Sequence, residues 1–169
     1  SGFNEIDGTM RACASDNAEE ARSLSSIQTM NDGRWSPTQP IDTKWRAMYE
    51  GIRSANRLLR NYDISVLDDR RYNDDYSEML AEYKTFDDQA RFLRAYFYFE
   101  LIRRYGSVPF LEGNILSFDE VNSINQDSFE EIKNFIVEEC TALIENLPVN
   151  YAELSGGLTE NKGRATKGA

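Results

Sequence analysis

The stretch ARFLRAYFYFELIRRYGSVPF, from Ala90 to Phe110, constrains the fold more than any other part of the chain. Apolar or aromatic residues occupy positions 92, 93, 95–99, 101, 102 and 105, which cover most of the circumference of a helix. Such a helix must be covered by other elements on more than one side. Gly106 can supply a left-handed residue after the helix, and Pro109 prevents the helix from resuming. The stretch therefore predicts a buried helix that ends near residue 105.

Three long helices are predicted, at about residues 42–62, 73–105 and 128–147. The first has apolar side chains at three- and four-residue spacing, and the third begins with an S-x-x-E capping box at Ser128 and Glu131. A break near Thr85 is an alternative, but a continuous second helix is favoured because residues 73–105 contain no Gly or Pro. The tail after residue 151 is polar and Gly-rich, and is predicted to be a loop.

The predicted fold class is all-α (mainly), with long loops, in one helical region over residues 1–169. A helix that is apolar on nearly every side suits stacked helix pairs, in which each pair packs on the next. Ala95 and Phe99 have the A-x3-F spacing of a tetratricopeptide helix, a match that is weak alone. We therefore expect a tetratricopeptide-like (TPR-like) arrangement of the α-α superhelix type.

Charge and residue usage exclude several classes of function. The formal net charge of −10 argues against nucleic acid as a partner, because phosphate binding depends on Lys and Arg. The chain contains no His, which excludes Ser-His-Asp and Cys-His nucleophile systems and argues against a zinc site. A carboxylate-only enzyme and a calcium site among the adjacent acids stay open, and no catalytic residue, cofactor or metal is assigned. Cys13 and Cys140 could be bridged or free, and Cys140 lies on an apolar helix stripe that suggests a core position.

Two short sequence patterns before the first long helix predict local structure. Asp16 and Glu19 have capping spacing, which predicts a short helix or turn after Asp16. The segment NDGRWSP predicts a turn followed by an exposed Trp35.

Most aromatic and charged side chains are assigned ordinary structural roles. Helical spacing predicts core positions for Trp45, Tyr49, Tyr96, Phe97, Tyr98 and Phe99. Arg91 and Arg94 are expected to pair with carboxylates of a neighbouring helix. Glu138 and Glu139 are adjacent acids and are predicted to lie on a solvated helix face.

Five segments, in order, resemble the SusD/RagB-like glycan-capture lipoproteins of Bacteroidetes outer membranes. The segment from Ala90 is very similar to that family's EARFLRAYYYFELVRRYGDVP, and ASDNAEEA resembles its ASDEAE. The segments at 31–61, 127–148 and 163–169 resemble further family helices and the loops before them. Two departures stand out: Gln89 replaces the family's usual Glu, and Asn17 replaces the second acid of ASDEAE.

The resemblance implies a piece of a longer lipoprotein at the cell outer membrane, whose lipid anchor and C-terminal part lie outside this chain. It implies non-catalytic capture of glycans or oligosaccharides and their delivery to a TonB-dependent (SusC-like) outer-membrane transporter. This chain would supply the helical scaffold and a docking face for that transporter.

Candidate glycan contacts are polar or aromatic residues in the N-terminal loops, because sugar binding needs an aromatic face and a few planar polar groups. They are Asp16, Asn17, Asn31, Asp32, Arg34 and Trp35. The packing of Trp35 under its loop, with a solvated Arg34, is the structural alternative. Two other functions stay open: a TPR-like protein-interaction adaptor and an all-helical glycoside hydrolase.

Overall fold

The computed structural model describes residues 5–6, 9–22, 25–36, 38, 41, 43–117, 120, 123–151 and 163–169. The described chain divides into two compact units, residues 1–44 and residues 45–169. Within the described residues, helix predominates, which confirms the mainly α class, and one antiparallel two-residue pairing occurs between β1 (Glu5–Ile6) and β2 (Thr9–Met10). The single region predicted over residues 1–169 stays a prediction.

The N-terminal unit contains a 3₁₀ helix at Arg11–Ala14 and the short helix α1 at Ser26–Asn31. The Ser25 side chain caps α1 by accepting a hydrogen bond from the Gln28 amide. Of the short helix or turn predicted after Asp16, the structure contains the turn, at Asp16 and Asn17. The predicted turn at NDG is confirmed, and Gly33 takes a φ of +68° in it.

The described residues of the larger unit include α-helices of at least eight residues. They are α2 (Trp45–Asn61), α3 (Tyr76–Tyr83), α4 (Phe86–Tyr105) and α5 (Phe129–Asn146), with a 3₁₀ helix at Ile64–Arg70. Both α2 and α5 pack against α4, so the all-round apolar helix is covered on two sides as predicted. The shared core consists of Ile52, Tyr98, Leu101, Ile102, Val108, Leu111 and Ile132. Within the described part of the chain, none of the helices combines the length and the apolar character that a membrane span requires.

The second predicted helix is divided, so the preferred prediction of a continuous helix over 73–105 was wrong. The break lies at Lys84 and Thr85, between α3 and α4. It uses no capping box, because the Thr85 hydroxyl donates to the Glu82 carbonyl at 2.7 Å and accepts from the Gln89 amide at 2.7 Å. Arg164 reinforces the joint by donating to Glu82 at 2.8 Å and to Gln89 at 3.1 Å.

The ends of α4 and α5 follow the predicted signals. Gly106 has a φ of +73° directly after α4, and its amide donates to the Ile102 carbonyl. The capping box of α5 is present, because the Ser128 side chain accepts from the Glu131 amide and the Glu131 carboxylate accepts from the Ser128 amide. Cys13 and Cys140 are free thiols, which resolves the alternative left open by the sequence. Cys140 is half-buried, and this burial raises the pKa of its thiol.

Candidate functional site

The two predicted glycan-contact segments lie side by side in the N-terminal unit. Asn31 Nδ2 donates to the Cys13 carbonyl at 3.0 Å, which holds the end of α1 against the 3₁₀ helix. Gln28 Nε2 donates to the Glu20 carbonyl at 2.8 Å and to the Glu19 carboxylate at 3.3 Å. Hydrogen bonds therefore hold the first predicted segment, which follows the 3₁₀ helix, against α1. The second predicted segment begins at the C-terminal end of α1.

The side chains of this surface are accessible. Trp35 is 60% exposed, so it does not pack under its loop. Arg34 forms an ion pair with Asp32, with Nη2–Oδ2 at 2.6 Å and Nε–Oδ2 at 3.1 Å, across the turn at Gly33. Asp16 and Asn17 are also exposed. The placement is compatible with ligand contact, and that role stays a prediction for all six residues.

The larger unit contains a cleft that sequence reasoning missed. It has a volume of about 420 Å³ and lies between one face of α2 and the connection from α4 to α5. Its described lining is mostly apolar, with polar side chains of both charges. The lining residues are Trp45, Arg46, Tyr49, Glu50, Arg53, Pro109, Leu111, Asn114, Ile115, Leu116 and Ile124.

Three aromatic rings fix one end of the cleft. The Trp45 ring lies 5.0 Å from the Tyr49 ring and meets the Tyr105 ring edge-on at 5.1 Å, measured between centroids. The Tyr105 hydroxyl accepts a hydrogen bond from the Trp45 amide at 3.2 Å. The Tyr49 hydroxyl donates to the Pro109 carbonyl at 2.8 Å, and its burial raises the pKa of that hydroxyl well above its usual value. Tyr49 is therefore a neutral donor at any physiological pH.

A tight left-handed turn, between the lining residues Leu111 and Asn114, forms the floor of the cleft. Glu112 and Gly113 have φ values of +43° and +81°, and the Asn114 amide donates to the Leu111 carbonyl at 2.6 Å. For Glu112, which has a Cβ, this conformation costs about 1–2 kcal/mol. The surrounding contacts must offset that cost. The Leu111 amide donates to the buried Tyr98 hydroxyl at 2.9 Å, which holds the start of the turn on α4.

A buried amide on α2 positions the turn. Asn56 is 1% exposed, and its Nδ2 donates to the Asn114 carbonyl at 3.0 Å while its Oδ1 accepts from Arg94 at 3.2 Å. Arg94 in turn contacts Glu139 of α5, with Nη2–Oε2 at 3.4 Å. Arg60 donates to the Asn114 side chain at 3.1 Å. Polar contacts therefore connect α5, α4 and α2 to the floor of the cleft.

Two of the aromatic residues predicted to be core are substantially exposed. Trp45 is 38% exposed and Phe99 is 43% exposed, whereas Tyr98 is fully buried. Helical spacing identified the apolar face of α2 but could not show that the end of this face borders an open cleft. The overlooked signal was the group of Trp45, Arg46 and Glu50 in the first two turns of the helix, which combines an aromatic ring with planar polar groups.

A family model described as "Starch-binding associating with outer membrane" (SusD-like) matches residues 4–153 of this chain. No curated protein matches the chain in sequence.

Solved structures show the same fold. A SusD-like carbohydrate binding protein from Bacteroides fragilis is 27% identical with a TM-score of 0.67, over 92% of this chain and 28% of its own. A laminarin binding SusD-like protein is 26% identical with a TM-score of 0.63, over 85% of this chain and 27% of its own. Another SusD-like protein from Bacteroides fragilis is 29% identical with a TM-score of 0.60, over 83% of this chain and 24% of its own.

The chain therefore spans about a quarter of the length of these solved relatives, while the family model covers most of the chain itself. By that match, the chain belongs to the SusD-like family.

Proposed function

We propose that this protein captures glycans at the cell surface without cleaving them. The observation that carries the proposal is the family match over residues 4–153, together with similarity to proteins described as carbohydrate binding and laminarin binding. The two fastened segments of the N-terminal unit present an exposed Trp35 beside the Arg34–Asp32 ion pair. An aromatic face next to planar polar groups suits a sugar ring with its hydroxyls.

The captured glycan is delivered to a TonB-dependent outer-membrane transporter of the SusC-like kind. In this proposal the protein is held in the outer membrane by a lipid anchor. The packed helices α2, α4 and α5 form the TPR-like scaffold and supply the docking face for the transporter. The family description as associating with the outer membrane supports this location.

The proposal is tested by calorimetric titration of the protein with starch oligosaccharides and with laminarin. Saturable binding that weakens in Trp35→Ala supports it. Tyr72→Ala is the matched control, because Tyr72 is also a highly exposed aromatic residue and does not belong to the predicted contacts. The absence of binding to any glycan would contradict the proposal. Co-purification with an outer-membrane barrel tests the delivery step separately.

The hydrolase alternative receives no support from the cleft. Glycoside hydrolysis normally needs two carboxyl groups that flank the scissile bond. Of the described residues that line the cleft, Glu50 is the single carboxylate. The release of new reducing ends during incubation with the glycan would overturn the proposal that the protein only binds. The adaptor alternative would be favoured if the protein retained peptides and no glycan.

A further inference from the structure

We infer that the cleft between α2 and the α4–α5 connection binds a pyranose ring of a neutral glucan chain. This would be a second carbohydrate contact, in addition to the predicted contacts of the N-terminal unit. The inference rests on the proposed function and assigns a ligand to a site that the sequence did not reveal. It comes from the combination of one aromatic platform, a small set of planar polar groups and a fixed floor.

The platform is Trp45, whose ring is partly exposed and lines the cleft. A pyranose ring has one face of C–H groups, which packs on an aromatic face in the way that apolar groups pack on aromatic rings. The ring of Trp45 is held by contacts with Tyr49 and Tyr105. An immobilised platform loses little conformational entropy when a ligand stacks on it.

The polar groups lie around the same cavity. Arg46 and Glu50 form an exposed ion pair, with Nε–Oε1 at 2.7 Å, so their remaining donors and acceptors are accessible to a ligand. Asn114, on the α4–α5 connection, adds an amide to the lining. Guanidinium, carboxylate and amide groups are planar and can each pair with neighbouring hydroxyls of one sugar ring. A cavity of about 420 Å³ is in the size range of small-molecule sites, which is about 300–1,000 Å³.

The floor of the cleft is preorganised. The left-handed turn at Glu112–Gly113 is fixed from below by the buried Asn56, so Asn114 is held in place before any ligand arrives. The charges of Arg46 and Glu50 offset one another, and the third charged lining residue, Arg53, donates to the Leu116 carbonyl at 3.3 Å. The lining therefore has no cluster of like charges that would select a strongly charged ligand over a neutral hydroxylated one. The single carboxylate among the described lining residues fits binding without hydrolysis.

The chain contains two tryptophans: Trp35 belongs to the predicted N-terminal contacts and Trp45 lines the cleft. The fluorescence of each can therefore be measured alone in a variant that lacks the other. In the variant Trp35→Phe, Trp45 is the only tryptophan reporter. We expect maltoheptaose or laminarihexaose to change its emission saturably and to protect it from quenching by acrylamide. The reciprocal variant Trp45→Phe reports on Trp35 and therefore on the proposed N-terminal contacts.

Substitutions of the lining residues Glu50 and Arg46 show whether the sugar binds in the cleft itself or changes the emission of Trp45 indirectly. In the Trp35→Phe background, Glu50→Ala should weaken the binding seen by Trp45 by about tenfold, the usual effect of losing a hydrogen bond to a charged group. Arg46→Ala should act in the same direction. Arg57→Ala is the control, because Arg57 is an exposed arginine of the same helix that does not line the cleft. Thermal melts of each variant check that the fold is retained.

Each outcome decides between the two proposals. If Trp45 responds and Glu50→Ala weakens the response while Arg57→Ala does not, the cleft is a sugar site. If Trp35 responds and Trp45 does not, the inference is overturned while the proposed function stands. A response of Trp45 that is equally strong in Glu50→Ala and Arg46→Ala also overturns it. If neither tryptophan responds and calorimetry detects no binding, the proposed function fails as well.

Discussion

Arg91 on α4 and Glu139 on α5 form a two-pronged ion pair, with Nε–Oε2 at 3.1 Å and Nη2–Oε1 at 3.0 Å. Both side chains are mostly buried between the helices, and Arg94 contacts the same carboxylate. Burial opposes the charge of Glu139, but the two arginines outweigh it and lower the pKa of its carboxyl below the ordinary value. The ion pairs of Glu139 therefore hold α5 against α4.

Removing the charge of Glu139 should destabilise the larger unit. We expect Glu139→Gln to lower the free energy of unfolding by about 2 kcal/mol at pH 7, because two partly buried arginines lose a charged acceptor. Urea unfolding measures the change. Glu138→Gln is the matched control, since Glu138 is the exposed neighbour on the same helix. Equal effects of the two substitutions would contradict the structural role of Glu139.

The same carboxyl predicts a pH dependence. Its pKa is lower in the folded state than the ordinary 4.5, so its contribution to stability is fully present above about pH 4.5. That contribution is lost as the pH falls through the lowered folded-state pKa. Unfolding measured between pH 3 and pH 7 should therefore show a shallower loss of stability in Glu139→Gln than in the unsubstituted protein. Parallel curves for the two proteins would refute the assignment.

Asn56 should be needed for the turn at the floor of the cleft. Asn56→Leu leaves the Asn114 carbonyl without its buried donor and removes an acceptor from Arg94. The expected loss of stability is about 2 kcal/mol, since the substitution breaks both hydrogen bonds of the buried Asn56 side chain and leaves the mostly buried Arg94 with one partner fewer. The Asn114 amide, which closes the turn on Leu111, should exchange its hydrogen faster. Asn61→Leu, at an exposed Asn of the same helix, should change neither measurement appreciably.

Gly51 permits the close approach of α2 and α4. A Cβ at this position would lie 2.5 Å from Cε2 of the Phe97 ring, closer than side chains can pack. Gly51→Ala gains about 1 kcal/mol of helix propensity, but the clash costs about 1–3 kcal/mol, so we expect net destabilisation. The double variant Gly51→Ala with Phe97→Leu should recover part of the loss. Failure of the smaller side chain to restore any stability would show that Phe97 is not the obstacle.

The capping box of α5 should contribute measurably to the free energy of unfolding. Ser128→Ala removes the acceptor for the Glu131 amide, which typically costs about 1 kcal/mol. Chemical denaturation measures this change. Ser54→Ala is a suitable control, because the Ser54 hydroxyl only donates back to the Glu50 carbonyl within its own helix. A cost at Ser128 no larger than at Ser54 would argue against the box.

Local signals in the sequence predicted the helix ends that the structure contains. Gly106 after α4 and the pair Ser128–Glu131 before α5 act through residues at most four positions away, so the sequence shows the whole interaction. The break at Thr85 was harder to predict because it contains no Gly or Pro. Its contacts include hydrogen bonds from Arg164, which lies about 80 positions further along the chain.

The cleft and the role of Glu139 depend on contacts between residues distant in sequence. Tyr49 meets Pro109 across 60 positions, and Arg91 meets Glu139 across 48. The prediction that Glu139 lies on a solvated face was wrong because adjacent acids on a helix point in different directions: Glu138 faces solvent while Glu139 faces α4. The spacing of residues on one helix does not show which neighbouring helix faces them.

Polar contacts run from Glu139 through Arg94 and Asn56 to Asn114, and they restrict the alignment of α2, α4 and α5 along their axes. Apolar faces can pack in several registers, since the hydrophobic effect has no direction. Sliding one of these helices by a single turn, about 5.4 Å, would separate the polar partners and leave them buried without hydrogen bonds. The polar contacts therefore favour one axial register of the three helices, while the packing of the apolar core around Tyr98 holds the helices together.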